Sequence, residues 1–252
     1  MEKTITFENN IKSYEEYKLN DSLITIIGET HTTDGESNMS EYINNILKHQ
    51  ENTLVLLELD SKSVKDKVYM NGIKSSTIKD VVNNVNNDYL IYFDNRNELL
   101  GKKAHYELYY GDIKTFDFEL YIQKYQDYLV SGNMKDKYGI LEETISQYND
   151  IRSSPTKGKS TFENRKIQKR INTLRFNLRE YIKKCWADIV DENLINMIVT
   201  SSKQSNGCNF IIIIGENHAY NLSKWFRDNT ISVKTNAVKL PNNQIQVGLN
   251  NL

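Results

Sequence analysis

Leu23-Ile24-Thr25-Ile26-Ile27-Gly28-Glu29-Thr30-His31 is a β-branched apolar run that breaks at a glycine and then presents a carboxylate and an imidazole. The pattern returns far downstream, where Phe210-Ile211-Ile212-Ile213-Ile214 leads into Gly215-Glu216-Asn217-His218. The chain has 4 histidines, so half of them sit in this repeated Gly-Glu-x-His element. Runs this apolar belong to strands buried on both faces of a parallel sheet. Open α/β sheets collect ligands and reactive groups just beyond the carboxyl ends of their strands.

The segments around these two runs predict the rest of an α/β fold. Residues 1–20 are polar with scattered aromatics and lead into the first core strand. Ser40 is placed to cap a helix through Gln50, with Tyr42, Ile43, Ile46 and Leu47 on one face. Thr53 to Leu59 reads as a second strand, and a helix between two such strands is a βαβ unit with parallel pairing. Ser76 to Asn86 predicts a helix, and Tyr89 to Phe93 a third strand. Helical periodicity then runs from Asp117 through Val130 and from Lys137 to Tyr148. The segment 151–160 is a loop. An amphipathic stretch over 161–200 carries Ile167, Ile171, Leu174, Leu178 and Ile182 on one stripe. After the 210–214 strand come a helix over Tyr220 to Asp228 and a terminal hairpin over Ser232–Leu240 and Gln244–Leu249. The expected architecture is a mostly parallel central sheet flanked by helices, with a C-terminal β-hairpin. It forms a single α/β domain over residues 1–252 with a helical insertion over residues 115–205.

Composition narrows the function. A length of 252 residues with 38% hydrophobic side chains is enough to bury a core. The formal charge of -1 supplies no global pull toward nucleic acid or acidic membranes. Cys185 and Cys208 form no Cys-x-x-Cys, which argues against a cysteine zinc site and fits a reducing, cytoplasmic compartment. No apolar run approaches membrane-spanning length, and Met1 to Ile5 has no apolar signal-peptide core.

Four predicted strands end in ionisable residues: Glu29 and His31, Glu58 and Asp60, Asp94 and Arg96, Glu216 and His218. In a parallel sheet these ends share one edge. Such a set supports water activation by a His or Glu base, with Arg96 stabilising the developing negative charge. It equally supports a divalent metal (Mn, Zn or Fe) held by Glu29, His31, Glu216 and His218, which would lower the pKa of bound water. In extended backbone the two side chains of Glu-x-His point the same way. Asp60 also reads as a cap for the segment after it, and His49 and His105 as surface residues.

The two strand-Gly-Glu-x-His elements, with a strand ending in Glu58-Leu59-Asp60 between them, resemble the superfamily of erythromycin esterases, Tiki/TraB-type proteases and ChaN-like haem-binding proteins. The resemblance implies that Glu29 and His31 are essential, that Glu58 is the middle-strand glutamate, and that Gly215 to His218 is the late motif. It covers none of residues 115–205. Members hydrolyse esters without metal, act as metal-dependent peptidases or bind haem iron, so the resemblance speaks to fold and site more than to reaction.

Other signals fail. Gly158-Lys159-Ser160 lacks the glycine a P-loop needs at Ser153, and no Gly-x-Ser-x-Gly elbow occurs. The basic stretch from Lys157 to Lys184 reads as a solvated helix face without an accompanying nucleic-acid motif. Cys208 precedes its strand, away from the site, and Cys185 lies in a helical core stripe.

The expected function is hydrolysis of an ester or amide bond in a small-molecule or peptide substrate. Glu29 and His31 activate water, Glu58 orients a histidine, Glu216 and His218 complete the site or hold metal, and Arg96 faces the substrate. The rivals are a non-catalytic binder of metal or haem through the same residues, and an inactive scaffold. The insertion is a candidate dimer surface.

Overall fold

The structure, a computed structural model, describes residues 4–7, 10–32, 36–50, 52–60, 62, 64–65, 67–113, 115–129, 143, 146–147, 149–150, 153, 160–204, 207–233, 237–242 and 244–248. The chain divides into two compact units, residues 1–95 with 190–252, and residues 96–189. The helical stretch expected over 115–205 overlaps the second.

The first unit is built on a six-stranded sheet. Its strands are β2 (Ile11–Leu19), β3 (Ser22–Glu29), β4 (Thr53–Leu57), β5 (Leu90–Tyr92), β6 (Asn209–Gly215) and β7 (Ile231–Ser232), in the order β5-β4-β6-β3-β2-β7. β3, β6, β4 and β5 run parallel, and β2 is antiparallel to both β3 and β7. The fold is therefore α/β with a mostly parallel sheet, as the apolar runs predict.

β6 lies between β3 and β4, and Phe210 to Ile214 are all buried because each face of the sheet is covered. On one face Ile27, Val55, Leu57, Ile211 and Ile213 pack with α1 (Met39–Leu47) and α3 (Ser76–Asn84). On the other, Ile24, Ile26, Leu56, Ile212 and Ile214 meet Ala219, Leu222 and Phe226 of a helix over Glu216–Asn229 (α8 below) and Leu194 and Ile198. Each isoleucine buried this way contributes roughly 1.5–3 kcal/mol.

Three sequence expectations change. The polar lead-in holds two strands, β1 (Thr4–Phe7) and β2, and Tyr14 and Tyr17 of β2 enter the cores on opposite faces of the sheet. Ser40 is not the cap of α1. The helix begins at Met39, and the Ser40 hydroxyl donates to Asp80 of α3 at 2.7 Å. The last long helix begins at Glu216, directly after β6, rather than at Tyr220. The terminal hairpin is present as β8 (Ala237–Lys239) and β9 (Ile245–Gly248), and β9 also pairs with β1, so that segments from the two ends of the chain share a three-stranded sheet. A short helix, α2 (Lys67–Gly72), precedes α3.

The second unit holds α4 (Arg96–Leu100), α5 (Lys102–Tyr110), α6 (Phe118–Leu129) and the first part of α7 (Thr161–Gln204). α7 passes from the second unit into the first at Ile189–Val190. α4 and α5 were not expected. Leu100, Leu108, Phe116, Tyr121, Leu178, Trp186 and Cys185 share the core of this unit. The basic stretch is partly internal rather than solvated. Arg179 is buried, and its guanidinium donates to the carbonyls of Leu108 and Gly111 at 2.6 and 2.7 Å, satisfying the orphaned end of α5. Arg175 does the same for Ile113 at 2.8 Å. The expected 137–148 helix and 151–160 loop lie largely outside the described residues. Among the described residues no helix is long and apolar enough to cross a membrane.

Candidate functional site

The carboxyl ends of β3, β6 and β4 lie side by side, and the register pairs Glu29 with Gly215 and Leu57 with Ile213. Residues that follow these positions therefore project from one edge of the sheet, where α/β folds place their reactive groups.

Glu29 ends β3 and is buried. His31 Nδ1–H donates to Glu29 Oε1 at 3.0 Å, and the Ser75 hydroxyl donates to Glu29 Oε2 at 2.7 Å. Ser75 is fixed in turn as the cap of α3, its oxygen accepting the Ile78 N–H at 2.9 Å. The backbone on either side of His31 is tied down, by Thr30 N–H to the Asn10 carbonyl at 2.8 Å and by Ser76 N–H to the Thr32 carbonyl at 3.0 Å.

Glu58 follows β4. Its Oε2 accepts the Gly215 N–H at 2.9 Å and lies 3.8 Å from His31 Nε2, while its Oε1 lies 3.4 Å from His218 Nε2. Gly215 leaves room for two side chains of the array. A Cβ there would come within 3.1 Å of His31 Nε2 and 3.4 Å of Glu58 Oε2. Gly28 does a related job one layer away, since a Cβ there would collide with the Ser13 side chain and sit 2.8 Å from Ala219 Cβ. Its absence lets α8 come close to β3.

His218 sits on the first turn of α8. Its Nδ1–H donates to Asp191 Oδ1 at 2.5 Å, and Asp191 Oδ2 accepts Asn221 Nδ2–H at 3.0 Å. The result is one array: Glu29, His31, Glu58, His218, Asp191. Both imidazoles meet a carboxylate at Nδ1 and turn Nε2 toward Glu58. The His31 side chain is 46% exposed and that of His218 12%, so His31 is the one open to solvent. The hydrogen bond to Glu29 raises the His31 pKa above its usual 6.5; burial opposes this, the nearby Glu58 charge adds to the rise, and His218 works against it.

The structure thus gathers Glu29, His31, Glu58 and His218. Glu216 is exposed on the first turn of α8. The reason is backbone geometry. In the first motif Glu29 and His31 leave a strand, whereas the second motif is helical, and residues two apart on a helix face different ways. Among the described residues Glu216 pairs with neither imidazole, and the carboxylate that serves His218 is Asp191 instead. Arg96 opens α4 in the 96–189 unit, where its guanidinium donates to the Tyr109 hydroxyl at 3.1 Å and lies 5.7 Å from the ring centre. Asp60 is buried and caps the turn after β4 by accepting the Lys62 N–H at 3.1 Å. His49 is exposed, and half-buried His105 lies against Tyr109, with ring centroids 4.8 Å apart and planes tilted by 49°.

Asp191 was missed by sequence reasoning, although a signal existed. It falls in register with Leu194 and Ile198 on the apolar stripe of an amphipathic helix, and a carboxylate there needs a buried partner.

The donor types in the array, two imidazole nitrogens and a carboxylate, are those a divalent cation accepts. Among the described residues no group of three or more His, Cys, Asp or Glu side chains that could hold a metal ion is found, and Glu216 is exposed on its helix. Compared with known proteins, the chain matches no protein-family model, no curated protein and no solved structure.

Proposed function

We propose that this protein hydrolyses an ester or amide bond, as its resemblance to the erythromycin esterase, Tiki/TraB and ChaN-like proteins implies. One observation carries the reading: the Nε2 atoms of His31 and His218 face the two oxygens of Glu58 at 3.8 and 3.4 Å, each imidazole being anchored at Nδ1 by its own carboxylate.

A water donates one hydrogen to each Nε2 lone pair, which aims its oxygen at the substrate carbonyl. As the water attacks, its proton passes to His31 Nε2. Glu29 and Glu58 stabilise the imidazolium that forms, which is the same influence that raises the His31 pKa. The carbonyl oxygen becomes an oxyanion, for which N–H groups at a helix start, such as the first turn of α8, are suitable donors because they have no intrahelical partner. When the tetrahedral intermediate collapses, His31 returns the proton to the leaving oxygen or nitrogen.

His31→Ala is expected to lower turnover of p-nitrophenyl acetate or a peptide amide by on the order of 10²–10⁴, with an unchanged circular-dichroism spectrum. Equal turnover by this variant rejects the assignment. Metal content and a visible spectrum should be measured on the same preparation. A Soret band without turnover would replace the hydrolase with a haem binder, and activity that vanishes with a chelator and returns with Mn, Zn or Fe would make the reaction metal-dependent.

A further inference from the structure

We propose that Thr53 holds an internal water molecule in a small cavity at the amino ends of the parallel strands, where the water bridges the Thr53 hydroxyl to a second polar side chain of the cavity wall. The cavity lies at the edge of the sheet opposite the array, so the site does not depend on the hydrolase reading.

Thr53 opens β4, beside Asn209, which opens β6. It is 2% exposed. Its Oγ1 is buried and has no hydrogen-bond partner among the described residues. A hydroxyl taken out of water and given nothing in return destabilises a fold. Buried polar groups therefore find a partner in the protein or in ordered water.

The structure has room for the second. A cavity of about 10 Å³ borders Thr53, which is about the space a single water molecule needs. Glu16, Thr25, Tyr42, Gln50 and Asn209 bring polar side chains to the same wall, among apolar ones. Such a mixed lining separates this cavity from a dry apolar void, since an internal water needs at least two polar partners.

The wall also selects its guest. Tyr14 Oη donates to Glu16 Oε1 at 2.6 Å and lies 2.7 Å from Tyr42 Oη. With Glu16 ionised, Tyr14 spends its one proton there, so the proton between the two phenols comes from Tyr42. The Tyr42 oxygen then meets any further partner as an acceptor. That oxygen and the Glu16 carboxylate disfavour an anion. An apolar guest would leave the Thr53 hydroxyl bare. Water both donates and accepts, as Thr53 does. The far side of the wall is held in place as well: Gln50 Oε1 accepts Asn209 Nδ2–H at 2.9 Å, and Asn209 Oδ1 accepts the Leu23 N–H at 2.9 Å.

The test uses the full chain. Oxygen-17 relaxation dispersion of the solvent counts long-lived internal waters. The count is expected to fall by one in Thr53→Val and to stay unchanged in Thr53→Ser, which keeps the hydroxyl. Thr53→Val preserves the shape and removes the hydrogen bond, so its urea midpoint should be lower than that of the unmodified protein. A dry hydroxyl predicts the opposite sign, because valine in place of an unsatisfied hydroxyl stabilises. A raised or equal midpoint, or an unchanged water count in folded Thr53→Val, overturns the proposal. So does a midpoint that differs between KCl, NaCl and choline chloride at equal ionic strength in the unmodified protein but not in Thr53→Val, which would identify the guest as a cation. Should Thr53→Val fail to fold, a crystal structure of the unmodified protein decides: ordered water within hydrogen-bond distance of Thr53 Oγ1 upholds the site, and its lack rejects it.

Discussion

His31 is the residue on which the pH behaviour turns. Its pKa in the folded state is raised above 6.5, first by the hydrogen bond to Glu29. A general base works only when unprotonated, so kcat/KM should fall as pH drops through that raised value. Glu29→Gln removes the largest raising influence, and the acid limb of the profile should move to lower pH. A limb that stays in place would take the proton-accepting role away from His31. The sign for stability runs the other way. A raised pKa stabilises the fold fully below the unfolded value of 6.5, and this contribution is lost as pH rises through the folded value. With its side chain 46% exposed, the effect is small. At this scale the sequence showed the two histidines, Glu29 and Glu58, because each follows a strand that its own composition betrays. Glu216 repeats the letters of the first motif but stands exposed on a helix, and the carboxylate at His218 Nδ1 is that of Asp191, whose position depends on how a distant helix packs.

Among the elements, α5 depends most visibly on one side chain. The Arg179 guanidinium reaches the Leu108 and Gly111 carbonyls and lies 5.5 Å from the Phe116 ring centre. Arg179→Met keeps the stem and loses the charged donors. It is expected to cost about 2–4 kcal/mol in chemical denaturation, while the exposed Arg170→Met changes stability by less than about 0.5 kcal/mol. Equal effects would show that Arg179 is an ordinary surface cation. The contrast also explains what could be read in advance. β3, β4 and β6 were legible because burial on both faces makes them nearly continuous apolar runs. β1, β2, α4 and α5 were not, since their apolar residues are interleaved with polar or charged ones. Tyr14 and Tyr17 look like isolated aromatics until opposite faces of the sheet claim them. Arg175 and Arg179 have the composition of a solvated face, and only their carbonyl partners show otherwise.

For the whole molecule, the order β4-β6-β3 means that two neighbours in sequence are kept apart by a strand from near the other end of the chain. Without β6, β3 and β4 each present a bare inner edge of Val, Leu and Ile. A chain stopped at Gln204 is therefore expected to associate into large particles by light scattering, through the edge pairing such strands invite. A monomeric, sheet-containing fragment would show that β3 and β4 can close on each other.

The central strand is also the late one. Leu23 and Asn209, joined by a hydrogen bond at 2.9 Å, stand 186 residues apart. On the ribosome the first strands must wait, unpaired on their inner sides, while the whole 96–189 unit is made. Gly215 and His218 arrive only after that. The meeting of His31, Glu58 and His218 therefore waits on β6, whose pairing with β3 and β4 spans long stretches of sequence and is of the kind that forms slowly.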